Sequence, residues 1–508
     1  MASIALSSTW TPYYFIHTYS STLQNIHESW QSSLILPLAL ILLIPCMTIL
    51  TYKSLRKKPI YLVDFVCFKP SINSRVSSSA FVEHSILTGF FNQQSLKFQQ
   101  TILERSGLGE LTSLPFAMQY LPPRPSLQNA RDEAELVIFS TLEKLFNIPD
   151  STPNLAKLLT REAPTRFDTF IVGPQDVDIL IVNCSLFSPS PSLCSLIINK
   201  FKMRSDVKSY NLSGMGCSAS IISLSLAQNL LLVHPNSCAL IISTENITQN
   251  WYLGNRRSMV IPNCLFRMGG AAIFLSNKAS DAIRSKYQLS HVVRTITGGS
   301  SRDHVKSYKC VFQEQDEKGN YGVTLSKDLT KVASEALRQN ITSLAPLILP
   351  FSEQFTYIIN EIRRRLIKHI SRCDTMDPRL VMLKTRVPNF KKTINHFCIH
   401  AGGRAIIDEL EKSLGLSPQE VEPSRMTLYR FGNTSSSSIW YELAYLEGKG
   451  RIMDWDRVWQ IAFGSGFKCN SVVWVATGAN QGPSRQQHNA WLDCIHEYPV
   501  EVPSFDIQ

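Results

Sequence analysis

Ser213-Gly214-Met215-Gly216-Cys217-Ser218-Ala219-Ser220 crowds small residues around a thiol, and its flanks decide the fold. Upstream, Ile179 to Val182 is a short apolar run bounded by polar residues, the pattern of a buried strand. Downstream, Ile221 to Val233 is long and apolar enough for a buried helix. The segment between them reads as a strand-to-helix corner in an α/β protein, with Cys217 opening the helix. A thiol there meets the positive end of the helix macrodipole, which favours thiolate, and the neighbouring glycines admit a substrate carbonyl close to the backbone. The competing reading is a small buried core cysteine, as most free cysteines are.

Two later segments have the same form. In Asn395-His396-Phe397-Cys398-Ile399-His400-Ala401-Gly402-Gly403-Arg404, an apolar strand ends at His400 and an amphipathic helix, Ala405 to Leu414, follows a Gly pair. In Phe431-Gly432-Asn433-Thr434-Ser435-Ser436-Ser437-Ser438, Asn433 stands just ahead of another helical run near Ile439. A Cys with a later His and Asn is a recognised catalytic set, the His moving a proton or donating a hydrogen bond and the Asn donating through its amide. Singly, His400 also reads as a strand-end residue and Asn433 as an N-cap. His396 and His400 have the spacing of a helical metal site, but the segment reads as a strand and no Glu or Cys pattern completes a set, so no metal is expected.

Together, Cys217 in GMGCSAS, His400 in HFCIHAGGRAIIDELEK, Asn433 in RFGNTSSSSIWYELAY and the loop Gly464-Ser465-Gly466-Phe467-Lys468-Cys469-Asn470 resemble the plant 3-ketoacyl-CoA synthases of very-long-chain fatty acid elongation. The likeness runs from about Pro59 to Pro503 and includes Pro59-Ile60-Tyr61-Leu62-Val63-Asp64-Phe65, Thr244-Glu245-Asn246 and Leu325-Ser326-Lys327-Asp328-Leu329. Chalcone synthase and the thiolases are wider kin. The resemblance implies an α/β, duplicated thiolase-like condensing-enzyme fold with an N-terminal transmembrane anchor. It implies Cys217 as the acyl-accepting nucleophile, His400 and Asn433 as hydrogen-bond donors to a malonyl-derived enolate, and supporting places for Gly216, His396, Gly464 and Gly466. Acyl-CoA and malonyl-CoA are then the substrates, without metal or redox cofactor, and a homodimer working with other elongase-complex enzymes is expected. Many relatives carry a His after the pair matching Arg294-Thr295, where this chain has Ile296, and the Gly298 to His304 loop is also unlike theirs. Two alternatives stand beside the synthase: an inactive paralogue that modulates an elongase complex, and a Cys-His-Asn thioester hydrolase.

A trace of duplication is visible without the resemblance. Cys184 precedes Cys217 by the same 33 positions that separate His400 from Asn433, and both pairs read strand, corner, helix. At 508 residues and 44% hydrophobic content the chain exceeds one ordinary domain and fills a large core. Twelve cysteines without zinc-type spacing suit reduced, buried thiols. The formal charge of +11 favours anionic headgroups and coenzyme A phosphates; a nucleic-acid stripe or recognition motif is not seen, so nucleic acid is not an expected partner.

Leu34 to Leu50 is seventeen nearly all-apolar residues within an uncharged stretch from Ser29 to Tyr52. That is about 26 Å of helix at ~1.5 Å per residue, just enough for a span. Lys53, Arg56, Lys57 and Lys58 follow, which by the positive-inside rule puts the catalytic body in the cytosol; the resemblance implies that the membrane is the endoplasmic reticulum. Met1 to Trp30 is short on aliphatic runs and leaves a first span undecided. The expected division is 1–58 as anchor region with a span at about 32–52, 59–349 as the half carrying the nucleophile, 350–389 as connection, and 390–508 as the half carrying His and Asn. Within the connection, Arg363, Arg364, Arg365 and Lys368 read as the solvated face of an amphipathic helix.

Overall fold

Two runs singled out above, the one at Ile179 and the one ending before His400, are strands of one mixed sheet. A computed structural model describes residues 58–147, 172–299, 304–356, 358, 359, 362, 388–478 and 488–502. The span at 32–52 and the basic residues Lys53, Arg56, Lys57, Arg363, Arg364, Arg365 and Lys368 lie outside these residues. The chain divides into two units, Met1–Lys58 and Pro59–Gln508. In the second, β1 (Tyr61–Cys67), β2 (Ile179–Asn183), β3 (Lys208–Leu212), β4 (Cys238–Thr244), β5 (Gly270–Ser276) and β6 (Tyr287–Ile296) share a sheet with three later strands. A separate hairpin pairs β7 (Val311–Gln315) with β8 (Tyr321–Leu325), and β9 (His396–Ile399), β10 (Arg457–Gly464) and β11 (Lys468–Ala476) complete the sheet. Its order is β3-β2-β4-β5-β1-β6-β11-β10-β9.

The pattern repeats. β2 runs parallel to β4, and β4 and β1 both pair antiparallel with β5. β9 runs parallel to β10, and β10 and β6 both pair antiparallel with β11. β1 against β6 joins the copies. Cys184, just past β2, thus matches His400, just past β9, and the turn at Cys217 matches the turn at Asn433: the shared spacing of 33 residues is one topology used twice. The second copy opens at β6, so the chain passes from one repeat to the next between Ser276 and Tyr287, ahead of the 350–389 segment expected as the connection.

Burial on both faces explains why β2, β4 and β5 read as unbroken apolar runs. Ile179 and Ile181 join one apolar cluster with Ile221, Leu224, Ala227 and Leu231 of the Ala219–Val233 helix and with Trp440 and Leu443 of the Ser438–Gly448 helix. Leu180 and Val182 face the other way, against the Leu127–Leu145 and Leu193–Phe201 helices. Each such large apolar side chain contributes about 1.5–3 kcal/mol when buried. Among the described residues one helix, Gly216–Val233, is long and apolar enough to cross a membrane; half of it is buried, and it is the core helix behind Cys217. The helices that start at the two corners touch directly, Trp440 Nε1 donating to Ser220 Oγ at 2.6 Å.

Candidate active site

A cavity of about 370 Å³ opens where the corners meet, and Cys217, His400 and Asn433 all line it, with Gly216, Gly464 and Gly466. Gly216–Ser218 is a single 3-10 turn that feeds the Ala219–Val233 helix. Gly216 has φ +71°, and its N–H donates to Ser185 Oγ at 2.8 Å. Against this turn packs the β10–β11 loop. A Cβ on Gly216 would fall 2.3 Å from Ser465 N, and one on Gly464 would fall 2.4 Å from Ser218 Oγ and 2.7 Å from Met215 O. Neither backbone can carry a side chain there. Gly466, at φ +78°, makes the hairpin turn itself. Gly464→Ala is therefore expected to displace the nucleophile turn. Activity at this cavity should fall at least about a hundredfold and stability by about 1–3 kcal/mol, checked by steady-state assay and thermal melts of the purified protein.

His400 is buried at the end of β9, its N–H donating to Ile461 O at 2.9 Å. Its Nδ1 lies 2.7 Å from Ser438 Oγ, which also accepts the Ala401 N–H at 3.3 Å. Donation of the single Ser438 hydroxyl hydrogen to Nδ1 is the arrangement that places the ring hydrogen on Nε2, toward the cavity that His400 lines. Burial pushes the imidazole down to about 4, so it stands neutral as an Nε2–H donor. Asn433 is buried past Gly432 (φ +71°), which ends the Pro418–Phe431 helix. Its Oδ1 accepts the Ser435 N–H at 2.8 Å and its Nδ2 donates one hydrogen to Gly402 O at 3.1 Å. The second Nδ2 hydrogen is left for the cavity.

Cys217 is half-buried. Burial pushes its thiol up to about 12, and the nearby Glu245 carboxyl adds to the rise. Desolvation of the sulfur thus opposes the thiolate that the helix N-terminus favours. His396 also differs from expectation. It stands at the far end of β9, roughly 13 Å from His400 at ~3.3 Å per residue, with Nε2 2.8 Å from Asp456 Oδ2, and it does not line the cavity. Ile296 pairs with Lys468 across β6 and β11 and is likewise absent from the lining, although Lys468 is present.

Other residues enter whose place at the site the sequence did not announce. Val311, Phe312, Val323, Leu325, Leu329 and Ala333, from the β7–β8 hairpin and the Leu329–Ile348 helix, make an apolar wall. The four-serine run, unremarkable as sequence, has four separate tasks: Ser435 contacts Cys217, Ser436 bonds Asn183 and Ser243, Ser437 caps Thr434, and Ser438 orients His400. The Asn-Thr-Ser signal of a helix start was readable; the partners were not. Among the described residues no group of three His, Cys, Asp or Glu is placed to hold a metal ion.

This arrangement, a thiol facing two neutral hydrogen-bond donors, suits carbon–carbon bond formation at a thioester. The family model described as FAE1/Type III polyketide synthase-like protein matches residues 52–366, and the one described as 3-oxoacyl-[acyl-carrier-protein (ACP)] synthase III C terminal matches residues 390–476. 3-Ketoacyl-CoA synthase 5 of Arabidopsis thaliana is 53% identical over 452 residues, 89% of this chain and 84% of its own. The chain belongs to the 3-ketoacyl-CoA synthase family. 3-Ketoacyl-CoA synthase 11 of the same plant, 50% identical, covers 96% of this chain and 88% of its own. The family fold is also seen in solved structures. CsyB complexed with CoA-SH superposes at TM-score 0.59 and 16% identity, over 82% of this chain and 100% of its own. A Streptomyces coelicolor 1,3,6,8-tetrahydroxynaphthalene synthase, a bacterial type III polyketide synthase, does so at TM-score 0.58 and 16% identity, over 82% and 99%. In this 3-ketoacyl-CoA synthase, as the sequence led us to expect, the body is a thiolase-like α/β fold.

Proposed function

We propose that the chain condenses a long or very-long-chain acyl-CoA with malonyl-CoA, releasing CO2 and coenzyme A, in fatty acid elongation. The observation that carries this reading is that Cys217, His400 and Asn433, from three separate segments, line one cavity with an apolar wall. Cys217 attacks the acyl thioester and coenzyme A leaves. In the acyl-enzyme, the alkyl chain lies along the wall made by Val311, Phe312, Val323 and Leu325. Malonyl-CoA then loses CO2, and Nε2–H of His400 and Nδ2–H of Asn433 donate to the thioester oxygen on which enolate charge develops. The enolate carbon attacks the acyl-enzyme, giving a 3-ketoacyl-CoA two carbons longer. Ser465 N–H, whose nitrogen packs against Gly216 of the nucleophile turn, is a donor for the acyl oxyanion in this reading. No metal or redox cofactor takes part.

We place the protein at the endoplasmic reticulum membrane, anchored through the apolar stretch at 32–52, with the body in the cytosol and other elongation enzymes as partners. Support comes from the stretch's length and its basic flank. A homodimer is supported by β3, an edge strand of the sheet only five residues before Cys217.

The test is elongation of an acyl-CoA series with labelled malonyl-CoA in microsomes that express the chain. Elongated 3-ketoacyl products, with a defined chain range, are expected. Free fatty acid without malonyl-CoA consumption would make it a hydrolase, and no turnover from well-expressed protein would make it a regulatory paralogue.

A further inference from the structure

Behind the nucleophile, three groups from distant parts of the chain form one buried line. Ser435 Oγ lies 3.4 Å from Cys217 Sγ and 3.1 Å from Glu245 Oε2. Ser435 is held at φ +55°, uncommon for a residue with a side chain, by donating its N–H to Asn433 Oδ1. Glu245, just past β4, is buried, and its other oxygen accepts the Leu186 N–H at 2.9 Å and lies 3.5 Å from Cys184 Sγ. That fixes the carboxyl plane and leaves Oε2 for Ser435. All three groups line the cavity.

A serine hydroxyl has one hydrogen, so both contacts cannot be donations by Ser435 at once. When Ser435 donates to Glu245, the Cys217 thiol donates to Ser435 Oγ. When Ser435 donates to sulfur, a protonated Glu245 donates to Ser435 Oγ. The two arrangements differ by one proton moved from sulfur to carboxyl. The environment favours this acceptor over the imidazole. Burial raises Glu245 above the usual carboxylate range, while His400 is pushed down to about 4. The titratable groups packed around Glu245 are Cys184 beside β2, Cys217, and Glu133 of the Leu127–Leu145 helix, itself pushed up to about 7 by burial. His400 and Lys468 line the same cavity.

We propose that Glu245 accepts the Cys217 proton through Ser435 in the acylation half of the reaction read above. The S–H bond breaks as sulfur bonds the thioester carbon; the thiol hydrogen passes to Ser435 Oγ and the hydroxyl hydrogen to Glu245 Oε2. When the tetrahedral intermediate collapses, the bond to coenzyme A breaks and its electron pair leaves as thiolate. The proton returns through Ser435 to that thiolate, and Glu245 is a carboxylate again.

The proposal rests on Cys217 being the nucleophile but is tested without acyl or malonyl substrate. The measurement is the rate of iodoacetamide alkylation of Cys217 against pH. It is read by mass spectrometry of the Cys217 peptide, on full-length detergent-purified protein. Ser435→Gly removes the hydroxyl without straining the positive φ, and Glu245→Gln removes the acceptor; melting curves verify that each is folded. The wild type should show an inflection where Glu245 ionises. Both variants should lose it and react at least tenfold more slowly between pH 6 and 8. If Glu245→Gln does not fold, the Ser435→Gly profile decides alone. An unchanged profile overturns the proposal. So does faster alkylation in Glu245→Gln, the result expected if the carboxylate merely disfavours the thiolate. A wild type that elongates no acyl-CoA, yet shows the inflection that both variants lose, would instead count against the condensing reading and leave the relay standing.

Discussion

Cys217→Ala is expected to lower condensation by at least about 10⁴-fold, the scale on which covalent catalysis is lost when its nucleophile is removed. No other described thiol is placed to substitute. Among the other described cysteines, all are buried, and Cys184, which occupies the matching corner of the sheet, is pushed far up by burial and by Glu245. The fold should survive, because the substitution removes one half-buried sulfur from a turn fixed by Gly216 and Ser185; a stability change within about 1 kcal/mol is expected. His400 and Asn433 keep their hydrogen bonds to Ser438, Gly402 and Ser435 in this variant. Slow CO2 release from malonyl-CoA without a condensed product is therefore the expected residue of activity. Product analysis with labelled malonyl-CoA and a parallel melting curve check both parts. Elongation that persists in Cys217→Ala would remove the thiol from the mechanism.

The second large effect concerns the donors. His400→Ala and Asn433→Ala are each expected to reduce condensation by about 10²–10³-fold, the usual loss for one preorganised donor at a developing oxyanion. Acylation of Cys217 should be far less affected, since neither side chain is the thiol's hydrogen-bond partner, which is Ser435. Intact-mass spectra after incubation with an acyl-CoA alone should show the acyl-enzyme in both variants. The double variant should lose less than the product of the single losses, because both groups act on one oxygen. An acyl-enzyme that fails to form in His400→Ala would make the imidazole the acceptor of the thiol proton and exclude the Glu245 route. The two schemes are thus separated by a single spectrum.

Both sets of variants bear on a site that the linear chain announced unevenly. The corners were legible because they are local: glycines where backbones must approach, apolar runs with strand and helix lengths, an Asn before a helix. Cys217, His400 and Asn433 each follow from such a pattern, and the repeated spacing of 33 residues has its cause in two copies of one strand order. Three matters escaped that reading. The thiol's protonation depends on burial and on Glu245, which comes from a different strand. His396 keeps a suggestive spacing to His400, yet an extended strand carries it to Asp456. The start of the second repeat is hidden as well, because β6 acquires its place only by pairing with β1 and β11.

The sequence by itself determined the elements, the family and the three candidate groups, since hydrophobic periodicity, glycine placement and motif residues act over a few neighbours at a time. Tertiary structure alone decided which groups face one another. It tied Ser435 to both Cys217 and Glu245, gave Ser438 to His400, and closed the cavity with the β7–β8 hairpin. Each of those contacts joins residues tens to hundreds of positions apart, and desolvation and hydrogen-bond geometry exist only once the chain has brought them together.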